Sequence, residues 1–209
     1  MSEFTAGSLI RNSYRETVQQ HNPLIVKELN EQWTVFITSG TGVSEMAPSD
    51  VMAISQHLPV LYFYNFEDHG WGFTLLHQGE AVSTFDLSYE QEEVDLMNYV
   101  KDKFPDQDAV ELLYISPDSD TFRASMVLEM ELQQSGIDRV HMMLRQLDVE
   151  AFKLFELGAA EMEQLRHLFE AETIAQLERK HAMVDDFKTI LGIEEMSWVR
   201  ADRLEWFES

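Results

Sequence analysis

The chain contains no cysteine. Disulfides, thiolate metal sites and cysteine nucleophiles are therefore excluded, and the absence fits a reducing compartment. Basic residues are scarce: 15 Lys and Arg stand against 38 Asp and Glu in 209 residues, a net charge of −23. A surface this negative repels phosphate backbones and anionic headgroups, so neither nucleic acid nor a membrane is an expected partner. No apolar run approaches the ~20 residues needed to span a bilayer. The opening MSEFTAGSLIRNSY lacks the basic stretch and apolar core of a secretory signal, and a cytoplasmic location is expected. The common nucleophile and zinc-protease spacings are missing too. Gly40 and Gly42 are not followed by a lysine, so they do not form a phosphate loop.

What is present is globular in character: 44% hydrophobic and 11% aromatic residues. The densest apolar run is Leu58–Tyr89. It predicts a three-stranded antiparallel meander of Val60–Phe66, Trp71–His77 and Ala81–Leu87. The turns are Glu67-Asp68-His69-Gly70 and His77-Gln78-Gly79-Glu80, each with a glycine suited to an unusual φ. Side chains alternate along a strand, so Trp71, Phe73 and Leu75 share one face. Val82, Thr84 and Asp86 make one face of the third strand half polar, hence wet. Val60–Phe66 is apolar on both faces, which predicts an interior strand with another strand beside it.

Ahead of the meander, Ser8–Gln20 reads as a helix, and Asn22-Pro23 as the start of another. Trp33–Thr38 reads as a strand, and Ser49–His57 as a short helix leading to Val60–Phe66. That order suggests parallel pairing of the two strands it connects. Ser88-Tyr89-Glu90-Gln91 has capping-box spacing before a helix that Pro105 stops. Helices are then expected at 108–114, 117–134, 137–147, 159–170, 172–181 and 184–191, the last closed by Gly192. Asp148–Leu157 alternates well enough to be a strand. Trp198, Trp206 and Phe207 make an apolar terminus that should dock on the body.

The expected fold is α+β: a small four-stranded mixed or antiparallel sheet of β-α-β-β-β order, with a helical C-terminal half packed on it. Residues 1–115 form the sheet region and 116–209 a mostly helical region, which can share one domain. The composition shifts near Ser116-Pro117. Residues 1–88 hold ten acids and three bases; residues 89–209 hold twenty-eight and twelve.

Two clusters carry possible chemistry. Glu67, Asp68, His69 and Trp71 place two carboxylates, an imidazole and an indole at one turn, a candidate site for a divalent cation or a small ligand. Against it, consecutive residues diverge, and polar side chains are the ordinary chemistry of turns. Glu163, His167 and Glu170 share a helical face, and Glu178 and His181 have the Glu-x-x-His spacing of di-iron bundles. Such bundles need two of these motifs and only one is present, so a solvated acidic face is the preferred reading. His21, His57, His77 and His141 are isolated. Met126, Met130, Met142, Met143 and Met162 sit at core-like spacings.

The function expected is a non-enzymatic interaction module of the immunity or inhibitor kind that meets a basic protein. No cofactor or resident metal is expected. The alternative is a metal-dependent hydrolase or small-ligand binder centred on Glu67–Trp71.

Overall fold

The computed structural model describes residues 4–133, 136–175 and 180–199. The fold is α+β. Its sheet has six strands, all antiparallel to their neighbours. In chain order these are β1 (Phe4–Arg11), β2 (Ile25–Glu28), β3 (Trp33–Ile37), β4 (Val60–Phe66), β5 (Gly70–His77) and β6 (Glu80–Ser88). Across the sheet the order is β2-β3-β1-β4-β5-β6.

The meander forms at the expected positions, and the expected neighbour of Val60–Phe66 exists. That neighbour is β1, where the sequence suggested a helix over Ser8–Gln20. Helix there is confined to a 3-10 turn at Asn12–Tyr14 and to Arg15–Gln19 (α1). Thr5-Ala6-Gly7-Ser8 has no strong strand character, yet β1 lies between β3 and β4 and is buried along Thr5–Ile10. Pairing on both edges outweighs its weak local propensity. The small residues let neighbouring chains approach: a Cβ on Gly7 would stand 3.2 Å from the Met196 methyl. Asn22-Pro23 leads into β2 and not a helix. Inserting β1 also removes the parallel pair, because β3 and β4 no longer touch as neighbours. The expected four-stranded, mixed or antiparallel sheet is thus corrected to six strands, and of the two pairings the antiparallel one forms.

The helices that follow are α2 (Ser49–Ile54), α3 (Gln91–Lys103), α4 (Ser119–Gln133), α5 (Gly136–Met143), α6 (Ala159–Leu168), α7 (Ala171–Ala175) and α8 (Lys180–Leu191). The Ser88 capping box does not form. Ser88 is still paired with Gly70 in the sheet, and Glu90 precedes the helix without a side-chain cap. Glu111–Ile115 is a π-helical turn. Val149–Phe155 is a 3-10 helix and not the strand that its alternation suggests. Asp148 caps it, accepting from the Glu150 amide. Gly192 closes α8 as expected, with Ile193 N–H donating to the Lys188 carbonyl.

One face of the sheet carries the main core. Leu9, Trp33, Phe63, Trp71, Phe73 and Phe85 meet Phe152, Phe155, Leu165, Phe169, Phe187 and Met196 from the helical side. Phe187 stacks on Phe73 with ring centroids 5.0 Å apart and planes 2° from parallel. The opposite face is covered less fully, by Val18 of α1 and by Val51 and Ile54 of α2. Toward β6 this face is wet, as the sequence indicated: Val82 is 36% exposed and Asp86 is exposed. Here Tyr64 lies across Gly72. A Cβ on Gly72 would sit 2.5 Å from the Tyr64 hydroxyl and 2.4 Å from the Phe85 carbonyl, so only glycine fits.

A third cluster is built by α3, the π turn and α4. Leu96, Val100, Leu113 and Met126 are buried in it, and Phe104 packs on Phe122 at 5.6 Å. It spans Ser116-Pro117, so packing continues across the shift in composition. Val199 is buried and Trp198 is 63% exposed; Trp206 and Phe207 lie outside the described residues.

Candidate functional site

The Glu67–Trp71 turn does not gather its functional groups. Glu67 has φ 42°, a left-handed conformation, and turns the chain with Asp68. His69 Nδ1 lies 2.9 Å from Glu90 Oε1 at the start of α3, and both side chains are about 60% exposed. Trp71 is fully buried, its ring 5.0 Å from Phe85 and 5.2 Å from Phe187. The carboxylates and imidazole are thus on the surface, while the indole is inside the core. Among the described residues no three His, Asp or Glu side chains are placed to hold a metal ion.

Gly70 is the residue that this turn cannot replace. Its φ is 154°, and a Cβ there would stand 2.5 Å from the Leu87 carbonyl. Gly70→Ala should therefore cost about 2 kcal/mol or more. Glu67→Ala and His69→Ala should each stay within about 1 kcal/mol, the usual worth of an exposed pair. Urea denaturation of the three variants checks the ranking. A larger loss at His69 than at Gly70 would give the imidazole a role that its surroundings do not supply.

The second cluster is ordinary helix surface. His167 pairs with Glu170 at 3.1 Å and Arg166 with Glu163 at 3.0 Å, all exposed. Arg166 and Lys153 also bind Glu150, and these hydrogen bonds hold its carboxyl down at about 2. Glu178 lies outside the described residues. His21 and His57 stack at 5.1 Å on the surface. Met126 and Met162 are buried as their spacing suggests, whereas Met142 is 61% exposed.

Two cavities among the described residues bear on function. One, about 500 Å³, surrounds Arg11 beside Glu156, Glu161 and the end of α8. Its guanidinium is committed to structure. Arg11 Nε donates to the Phe155 carbonyl, a second nitrogen donates to Gln32 Oε1 at 2.8 Å, and the group lies 4.6 Å over the Trp33 ring. Burial lowers its pKa, opposed by the charges of Glu156 and Glu161.

The other cavity, about 640 Å³, lies where β6, α3, α4, α5 and α7 converge. Leu87, Val140, Met143 and Ile174 give it apolar walls. Among the described residues that line it, Asp86, Glu92, Asp95 and Glu131 bring four carboxylates and Arg139 a guanidinium. An apolar slot with this rim suits a cation carried on an apolar stem, such as a lysine or arginine side chain. Sequence reasoning did not find it. Its residues come from five elements between positions 86 and 175, and Asp95 and Glu131 read as solvated helix surface. The excess acidity of residues 89–209 was the only trace. The chain matches no family model, no curated protein and no solved structure.

Proposed function

We propose that the chain is a non-enzymatic interaction module, of the immunity or inhibitor kind, that binds a basic protein through the cleft beside β6. The observation that carries this reading is the joining of four carboxylates to apolar walls in one cavity. Net charge alone would steer a basic partner without choosing a place for it; the acid-rimmed apolar cleft supports reading the docking position there. A cytoplasmic setting belongs to the same proposal. No helix among the described residues is long and apolar enough to cross a membrane. The alternative, a metal or ligand site at Glu67–Trp71, has less support, since His69 is paired with Glu90 and Trp71 is in the core.

The test is titration with a synthetic lysine–leucine peptide at low salt. Reversing two rim charges, Asp95→Arg with Glu131→Arg, should weaken binding at least about tenfold, or 1.4 kcal/mol. The pair Glu31→Arg with Glu194→Arg makes the same change in net charge by the β2–β3 turn, at the other side of the sheet, and should weaken it less than about threefold. Equal losses from both pairs would mean that bulk charge, and not the cleft, attracts the peptide.

A further inference from the structure

The sheet ends at β2 on one side and β6 on the other. These two edges differ. β2 has four residues and exposes Lys27 and Glu28, a short charged strand of the kind that discourages pairing. β6 has nine residues, with no proline and no base. Its register with β5 shifts once, between Leu75↔Ser83 and Leu76↔Ala81, so the strand bulges at Val82. From Ser83 to Ser88 it is regular.

That regular stretch has an open side. Cβ atoms built on Gly70 and Gly72 would meet the carbonyl oxygens of Leu87 and Phe85, so these two carbonyls face β5. Backbone groups alternate in direction along a strand. Those of Thr84, Asp86 and Ser88 therefore face away from the sheet. Among the described residues no backbone hydrogen bond reaches them from beyond β5. The strand is also fixed in place, because Asp148 N–H donates to Ser83 Oγ at 2.9 Å from the core side.

The acid-rimmed cleft lies along this same edge. It is lined by Asp86, Leu87 and Ser88 in succession. Neighbouring side chains in a strand point to opposite faces. A cavity touching three in a row must therefore open off the edge of the strand, not over one face. Unpaired backbone, apolar wall and carboxylates are continuous there.

We infer that Thr84–Ser88 is a strand-addition site for an extended, basic segment of the partner. The incoming chain pairs antiparallel or parallel with the outward groups of Thr84, Asp86 and Ser88. Alternate side chains then fall on one side of the added strand, so a lysine or arginine at every second position meets Asp86, Asp95 and Glu131. A second copy of this chain is disfavoured as the occupant, since it would bring a second set of the same carboxylates to the edge. The inference rests on the proposed binding of a basic partner, and adds to it the conformation and the register.

Two peptides of alternating lysine and valine serve as probes, one plain and one N-methylated at every second residue. Both carry the same charge, but the methylated one cannot complete a ladder of hydrogen bonds. The plain peptide should bind at least about tenfold tighter, and should slow hydrogen exchange at the Thr84 and Asp86 amides. Thr84→Pro removes one outward N–H and leaves the β5 side intact; it should weaken the plain peptide alone. The methylated peptide keeps the test decisive if that variant does not fold. Equal binding of both peptides, still lost on Asp95→Arg with Glu131→Arg, would overturn strand addition and leave the acidic cleft as the docking site. Binding of neither peptide would overturn both readings. Self-association of the wild type that Thr84→Pro abolishes would assign the edge to a second copy and overturn the inference.

Discussion

Replacing Trp71 by alanine is expected to destabilise the fold by about 3–5 kcal/mol, among the largest losses of any single substitution in this chain. The side chain is fully buried where β5 meets α8, between Phe63, Phe73, Phe85 and Phe187. Removing it leaves a cavity in an aromatic layer that cannot collapse without moving the sheet. Trp71→Phe should cost far less, about 1.5 kcal/mol or under. Among the described residues the indole Nε1 has no hydrogen-bond partner, so phenylalanine removes an unsatisfied buried donor along with some volume. Urea denaturation of both variants measures the difference. If Trp71 served a ligand on the surface, alanine and phenylalanine would both leave stability near wild type. That pattern would remove the residue from the core.

The sequence announces Trp71 as part of the meander because its signals are local. Trp71, Phe73 and Leu75 alternate with Gly72 and Thr74, and glycines stand where Gly70 and Gly79 turn the chain. The strand β1 is hidden for the opposite reason. Thr5–Ser8 holds no residue of strong strand preference except its threonine, and its pairing with residues 61–66 and 33–36 is recorded nowhere in its own spacing. β1 and β2 together account for the difference between four strands and six, and β1, lying between β3 and β4, removes the parallel pairing that their order suggests. The candidate sites divide in the same way. The Glu67–Trp71 cluster drew attention because its ionisable groups are consecutive, and consecutive groups are the ones a strand end sends apart. Asp86, Asp95 and Glu131 are brought together by α3 and α4 turning back past β6. No window of sequence contains them.

Raising the pH above 10 should unfold the protein through two buried tyrosines on the thinly covered face of the sheet. Tyr62 is fully buried and donates its hydroxyl hydrogen to the Ser44 carbonyl at 2.7 Å. Burial pushes its pKa up to about 12 from an ordinary value of 10.0. Tyr64, beneath the same layer and facing Asp86, is pushed up by burial first and by that carboxylate's charge second. Below pH 10 both states keep these protons, and stability does not depend on them. Between 10 and 12 the unfolded chain ionises Tyr62 while the folded chain does not. Stability then falls by about 1.4 kcal/mol per pH unit for each such group. Tyr62 alone should remove about 3 kcal/mol across that window, and Tyr64 adds a loss of the same sign. Urea midpoints measured from pH 8 to pH 12 give the slope. Tyr62→Phe loses the hydrogen bond to Ser44, so it should begin about 1 kcal/mol less stable. It has no phenol to ionise there, so its curve should fall less steeply and cross the wild-type curve above pH 10. Parallel curves over the whole range would mean that Tyr62 ionises freely in the folded state and that its hydroxyl is not sealed from water.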